Sequence, residues 1–190
     1  MDRTIITDRL VLRPLSVEKG DAESLVSLFA DDNLRRWFGV RPLKTVAEAE
    51  AVIERYSFCL HAITEKGCDK IIGLIQAVHG PRRYRYDPFI GYCLSKEYEG
   101  RGYMTEAVLA MEKDIFSNWM KCCCHGFPLV DKVYAHVFAG NDASRRVLDR
   151  CGFHFVGSQE NVDNPYGVVD DEDTFCTTVG DFEWIMRNAA

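Results

Sequence analysis

Glu97-Tyr98-Glu99-Gly100-Arg101-Gly102-Tyr103-Met104-Thr105-Glu106-Ala107 is the stretch whose reading decides the fold. Two glycines bracket an arginine, a strand-like run at residues 88–95 precedes them, and an amphipathic helix follows. A strand feeding a glycine-rich turn into a helix N-terminus gathers unpaired backbone N–H groups on one concave surface. The helix dipole adds a positive field there, so the turn suits a phosphate or pyrophosphate. Gly100 and Gly102 lack Cβ atoms and let an anion approach the backbone. The turn is not a Walker loop, because the Gly-Lys-Ser/Thr ending is missing. Nor is it a dinucleotide fingerprint, since Thr105 stands where the third glycine belongs. Taken alone, the Gly-x-Gly also fits a helix that merely begins beside a turn.

Outward from this turn, apolar residues recur at strand and helix periods in alternation. Residues 4–15 read as one strand with Leu10, Leu12 and Ile6 on a common face. Residues 21–29 and 31–38 read as short helices that lay Leu25, Leu28, Phe29, Trp37 and Phe38 on the core. Thr45-Val46-Ala47-Glu48 is a capping box, and Ala49, Val52, Ile53 and Tyr56 continue one helical stripe. Residues 57–64 and 70–79 read as strands around a turn at 65–69, and 80–88 as a loop. The helix after Gly102 is expected to bury Met104, Ala107, Val108, Met111, Ile115 and Trp119. A connector at 122–128 leads to a strand at 132–138 and a helix at 142–150, with Gly152 in a C-cap role. Residues 153–158 read as a strand, the acidic stretch 160–173 as a loop, and 174–186 as the last strand. No repeat, low-complexity tract or linker intervenes, so residues 1–190 are expected to form a single α/β domain.

The chain has 190 residues, 47% hydrophobic and 27% charged, a globular composition. No apolar run approaches the roughly 18 residues that span a bilayer, and the first residues show no signal-peptide core. A soluble, cytoplasmic protein without a membrane partner is expected. The net charge of −6 argues against nucleic acid as the ligand and is compatible with a cationic amine. Eight cysteines without an export signal are expected as reduced thiols. Cys122-Cys123-Cys124-His125 does not make a metal site: adjacent cysteines cannot easily turn their thiolates to one tetrahedral ion. No second Cys/His pair stands at zinc spacing, so no metal is expected.

A second strand-to-helix passage lies downstream, Val137-Phe138-Ala139-Gly140-Asn141-Asp142-Ala143-Ser144-Arg145-Arg146-Val147-Leu148-Asp149-Arg150-Cys151-Gly152-Phe153. Asn141 or Asp142 is a natural N-cap, Ser144 lies in the first helical turn, and Arg145 and Arg146 are donors suited to phosphate. A capped amphipathic helix with Ala143, Val147, Leu148 and Cys151 inside also fits most of these residues. The two passages together, Gly100-Arg101-Gly102-Tyr103-Met104-Thr105-Glu106-Ala107 and Asn141-x-x-Ser144…Leu148-x-x-x-Gly152-Phe153, resemble the GNAT acyl-CoA N-acyltransferase superfamily. The opening Thr7-Asp8-Arg9-Leu10-Val11-Leu12-Arg13-Pro14-Leu15 is similar to the first strand of its Rim-type branch, the ribosomal-protein N-terminal acetyltransferase-like group.

The resemblance implies a mixed central sheet flanked by helices, with two splayed parallel strands, residues 90–95 and 133–138, holding acetyl-CoA as co-substrate in the gap. It implies that backbone groups of Cys93, Leu94 and Ser95 pair with the pantetheine arm. The amides of Glu99, Gly100, Arg101, Gly102, Tyr103, Met104 and Thr105 would hold the pyrophosphate. Asn141 would steady the pantetheine, with Arg145 or Arg146 reaching a CoA phosphate. The backbone N–H of Leu94 or Cys93 would stabilise the oxyanion. The chain departs from the family pattern twice. Glu97 stands where the motif usually begins with Gln or Arg, and is expected to point away from the anion. Leu148 stands where many members carry the tyrosine that protonates the thiolate. In the Rim-type branch a serine one turn earlier is proposed for that role, and Ser144 matches it, with water as the alternative acid.

The implied activity is N-acetyl transfer from acetyl-CoA to a small-molecule amine or a protein N-terminus by direct attack in a ternary complex. Glu97, Asp87, His79 and His136 are the candidate general bases. The loop at 80–88, with Arg82, Arg83, Tyr84, Arg85 and Tyr86, and the acidic segment 163–173 are expected to border the acceptor. A non-catalytic acyl-CoA-binding or interaction module with the same fold is the alternative, and another phosphate-ligand domain a third. Either a monomer or a homodimer fits the chain.

Overall fold

The computed structural model describes residues 3–38, 40–80, 84, 87–122, 130–163 and 169–188, with only the backbone at 119–122 and 169. The strands are β1 (Ile5–Ile6), β2 (Leu10–Pro14), β3 (Leu60–Glu65), β4 (Ile71–His79), β5 (Pro88–Leu94), β6 (Lys132–Phe138), β7 (His154–Asp163) and β8 (Val169–Thr178). The helices are α1 (Asp21–Leu28), α2 (Asp32–Phe38), α3 (Val46–Tyr56), α4 (Tyr103–Cys122), α5 (Asp142–Arg150) and α6 (Val179–Asn188). The strands form one sheet in the order β1-β2-β3-β4-β5-β6-β8-β7. Every neighbouring pair is antiparallel except β5 and β6. Those two are parallel and in register only at Phe89↔Tyr134 and Ile90↔Ala135.

Helices cover both faces. Met104, Val108, Met111 and Ile115 of α4 and Leu148 of α5 share one core with Leu10, Leu12, Ile75 and Ile90. Leu25 and Leu28 of α1 and Ala49 and Ile53 of α3 share the other with Ala62, Leu74 and Cys93. Side chains alternate along β5, so Ile90, Tyr92 and Leu94 join the α4–α5 core while Cys93 faces the opposite one. In that second layer the Arg13 guanidinium grips Asp21 through two bonds of 2.7 and 2.8 Å, both side chains buried.

The capping box at Thr45 is formed, with Glu48 N donating to Thr45 Oγ1 and Thr45 N to Glu48 Oε2. At the end of α5, Gly152 N donates to Asp149 O and Phe153 N to Leu148 O, a Schellman closure that needs the positive φ of 81° at Gly152.

Three sequence expectations are corrected. Residues 4–15 are not one strand, because Thr7 N and Thr7 Oγ1 bond around Leu10 and fold the segment into a small hairpin of β1 on β2. That leaves Ile6 67% exposed rather than beside Leu10 and Leu12. The acidic stretch 160–173 holds the end of β7 and the first half of β8, with Asp171 exposed but Asp170, Glu172 and Asp173 partly buried against neighbouring elements. Residues 174–186 are not one strand, since β8 stops at Thr178 and α6 begins. Thr178 and Asp181 cap that helix reciprocally, Thr178 N donating to Asp181 Oδ2 and Asp181 N to Thr178 Oγ1. Cys123, Cys124, His125, Arg82, Arg83, Arg85, Tyr86, residues 164–168 and the side chains of Trp119 and Cys122 lie outside the described residues.

Candidate active site

The parting of β5 from β6 opens the site. Ser95 N donates to Ile72 O at 2.8 Å, and β4 and β5 stay paired through Gly73↔Leu94. Antiparallel ladders alternate, so the residues between bonded pairs direct their N–H and C=O groups to the other side. Tyr92 and Leu94 therefore present backbone groups toward the β6 side, beyond the last parallel pair at Ile90. The Ser95 N–H is occupied by Ile72. The Cys93 thiol is buried on the far face, where burial pushes it up to about 12 against an opposing bond from the Leu74 backbone. Of the three strand residues expected at the ligand, Leu94 is thus the one with an N–H turned into the gap.

A cavity of about 890 Å³ fills that gap. It runs from Trp37 and Phe38 of α2, past Tyr92 and Leu94, to Ser144 and Arg146 of α5. At one end lies the glycine turn. Gly100 and Gly102 take φ values of 74° and 77°, a left-handed backbone that glycine adopts at no steric cost. The first bond within α4 runs from Glu106 N to Gly102 O at 3.1 Å, so the N–H groups of Tyr103, Met104 and Thr105 precede the helical ladder. The Glu99 amide is instead bonded to Lys96 O. The Arg101 guanidinium folds back onto Glu97 O at 2.8 Å and over the Tyr98 ring, so Arg101 offers the turn its backbone. Glu97 itself points away, its carboxylate 2.8 Å from Lys70 Nζ.

The turn is anchored by residues far away in sequence. Glu106 accepts from Thr7 Oγ1 at 2.6 Å, from Arg9 N at 2.9 Å and from Arg9 Nε at 2.6 Å. Arg9 Nη1 also donates to Arg101 O, and its guanidinium lies 4.6 Å from the Tyr103 ring centroid. The β1–β2 turn thereby clamps the start of α4. Burial works to raise the Glu106 carboxyl, but the bonds from Thr7 and Arg9 outweigh it and hold it below the ordinary range.

At α5, Asn141 is the N-cap, its Oδ1 accepting from Ser144 N at 3.1 Å. The two arginines separate in role: Arg145 Nη2 holds Asp173 at 2.5 Å, while Arg146 and Arg150 line the cavity. The Ser144 hydroxyl lies 2.9 Å from Tyr92 Oη, a partner that the sequence reading did not mark. Sequence offered one hint only, a hydroxyl-bearing residue in an otherwise apolar strand. Across the gap, His136 of β6 lines the cavity with its Nδ1 3.1 Å from Thr174 Oγ1 and 3.4 Å from Glu172 Oε2. Phe89 stacks on its ring at 4.6 Å. Glu172, also on the cavity wall, fell in the segment expected to be a loop.

The acetyltransferase (GNAT) domain model matches residues 9–154. The chain belongs to the GNAT acetyltransferase family. It is similar to an N-acetyltransferase of uncharacterised function, YoaA of Bacillus subtilis, with 25% identity over 80% of this chain and 82% of that one. Its fold is similar to that of the ribosomal-protein-S5-alanine acetyltransferase of Vibrio fischeri, with a TM-score of 0.71, 19% identity, and 95% and 99% of the two chains covered. It is also similar in fold to the microcin C7 self-immunity acetyltransferase MccE in complex with acetyl-CoA and AMP, with a TM-score of 0.70, 17% identity, and coverage of 91% and 94%. The mixed sheet, with one parallel pair among the described residues, is the GNAT architecture expected from the sequence. The GNAT domain match takes in the glycine turn, the splayed strands and the whole of α5. Among the described residues, no helix is long and apolar enough to cross a membrane.

Proposed function

We infer that this protein transfers an acetyl group from acetyl-CoA to a primary amine, a small molecule or a protein N-terminus, bound on the α2 side of the cavity. One observation carries the reading: a single cavity joins a left-handed glycine turn at a helix N-terminus to the unpaired side of β5 and to His136. The residues fit acetyl-CoA. The N–H groups of Gly102 to Thr105 suit its pyrophosphate, Arg146 and Arg150 add cationic donors, and the backbone groups of Tyr92 and Leu94, with Asn141, line the pantetheine path. Bound acetyl-CoA supplies an activated thioester. The Leu94 N–H then serves as the oxyanion donor, fixed in place by the β4–β5 ladder before any charge develops.

His136 takes the amine proton. Thr174 and Glu172 orient the imidazole through Nδ1, and Phe89 holds the ring plane, an arrangement suited to a general base. Glu97 is a poor rival because its carboxylate is engaged with Lys70 outside the cavity. Ser144, on the α5 wall, protonates the departing sulfur. The test is thiol release from acetyl-CoA across a panel of small amines and N-terminal peptides. Amine-dependent release that falls on the order of 100-fold in His136→Gln supports the reading, by the usual size of general-base effects. Tight acetyl-CoA binding with no release for any amine would favour the non-catalytic module instead.

A further inference from the structure

Tyr92 reaches from the middle of β5 to the first turn of α5. Its Oη lies 2.9 Å from Ser144 Oγ and 3.2 Å from the Ser144 carbonyl oxygen. A phenol has one proton and can serve one of these two acceptors well at a time. When the proton goes to the carbonyl, the phenol oxygen accepts from the serine hydroxyl and turns its proton away from the cavity. When it goes to Ser144 Oγ, the serine proton is released toward the cavity wall that Ser144 helps to form.

We propose that Tyr92 is a positioning residue for the leaving-group end of acetyl transfer, its hydroxyl donating to Ser144 Oγ so that the serine proton faces the departing sulfur. The proposal rests on the acetyl-transfer reading above. In that reaction the amine nitrogen bonds to the acetyl carbon, the C–S bond breaks, and its electron pair goes to sulfur. The amine proton passes through His136 to solvent. Ser144 gives its proton to sulfur and recovers one from solvent, so protons balance. While Ser144 Oγ carries negative charge, a hydrogen bond donated to it becomes charge-assisted, roughly twice as strong as a neutral one. Tyr92 is suited to remain the donor: burial raises its hydroxyl far above the ordinary phenol range, against the opposing Ser144 bond, and the neighbouring Cys151 and Glu112 add to the rise. Its ring stays packed on the α4–α5 core, so removal of the hydroxyl alone leaves the packing in place.

A double-mutant cycle separates this role from a mere tie between β5 and α5. Tyr92→Phe should lower kcat on the order of 10-fold, with acetyl-CoA affinity by calorimetry and melting temperature little changed, as for an interaction made in the transition state. In a Ser144→Ala background the same substitution should cost nothing further, because the two hydroxyls act as one unit. Equal losses from Tyr92→Phe in both backgrounds overturn the proposal, and so does a fall in acetyl-CoA affinity that accounts for the lost rate. A wild-type protein that turns over yet shows either pattern overturns this proposal alone. A wild-type protein that releases no thiol with any amine overturns it together with the reading beneath it.

Discussion

Glu112 of α4 is wholly buried, and neither carboxylate oxygen has a hydrogen-bond partner among the described residues. Burial drives its pKa from 4.5 up to about 9, so at neutral pH the native protein holds a proton that the unfolded chain releases. Its charge would also act on Tyr92 and Cys151, raising both. A group raised in the folded state contributes its full stability below the unfolded value and loses it as pH rises toward the folded one. Each pH unit in between costs the native state about 1.4 kcal/mol. The cost reaches about 3 kcal/mol at pH 7 and about 6 kcal/mol at pH 9, but stays under about 1 kcal/mol at pH 5. Glu112→Met keeps the volume and removes the proton. Urea unfolding of both proteins at pH 5, 7 and 9 should show the variant gaining stability over wild type as pH rises, whatever constant offset its packing adds. A difference that stays flat from pH 5 to 9, or narrows, refutes the argument that Glu112 is buried and neutral.

Three further outcomes follow from other contacts. Asp21→Asn leaves the Arg13 guanidinium buried without its counter-charge, and should cost about 3 kcal/mol in chemical denaturation, the scale of a broken buried pair. Glu106→Ala removes the bonds by which Thr7 and Arg9 hold the Glu106 carboxylate at the start of α4. It should raise KM for acetyl-CoA and cost roughly 2 kcal/mol of stability, an effect present at neutral pH that shrinks as pH falls through the acid range where the lowered Glu106 protonates. Lys70→Ala removes the exposed Lys70–Glu97 pair and the Lys70 contact with the Tyr98 ring. It should leave acetyl-CoA affinity within about twofold of wild type by calorimetry, as surface pairs contribute little.

What the sequence made legible was local chemistry. Gly100 and Gly102 mark a backbone conformation, Thr45 and Glu48 satisfy one helix start within four residues, and Gly152 ends α5 by its own geometry. Such signals are written in adjacent residues and survive without knowledge of the fold. The acidic ends of β7 and β8 were not legible, because their strand character comes from pairing, β7 with β8 and β8 with β6, rather than from their own alternation. Their charged residues Asp170, Asp171, Glu172 and Asp173 read as loop. The helix α6 did carry a signal, the Thr178-x-x-Asp181 cap, obscured by the buried apolar stretch that runs into it. Tyr92 with Ser144, and Glu106 with Arg9, could not be found from spacing, since each pair is joined only when distant strands and helices close on one another.

Acetyl transfer at this site requires acetyl-CoA seated with its pyrophosphate at the glycine turn. Titration calorimetry of acetyl-CoA into the wild-type protein and Gly102→Val tests that seat directly. At the φ of 77° a valine strains the left-handed backbone, and its Cβ would lie 3.5 Å from the Arg9 guanidinium. Saturable one-site binding by the wild type and its loss in a folded variant are expected if the glycine turn holds the pyrophosphate. No binding by the wild type, or equal affinity in the two proteins, would contradict it.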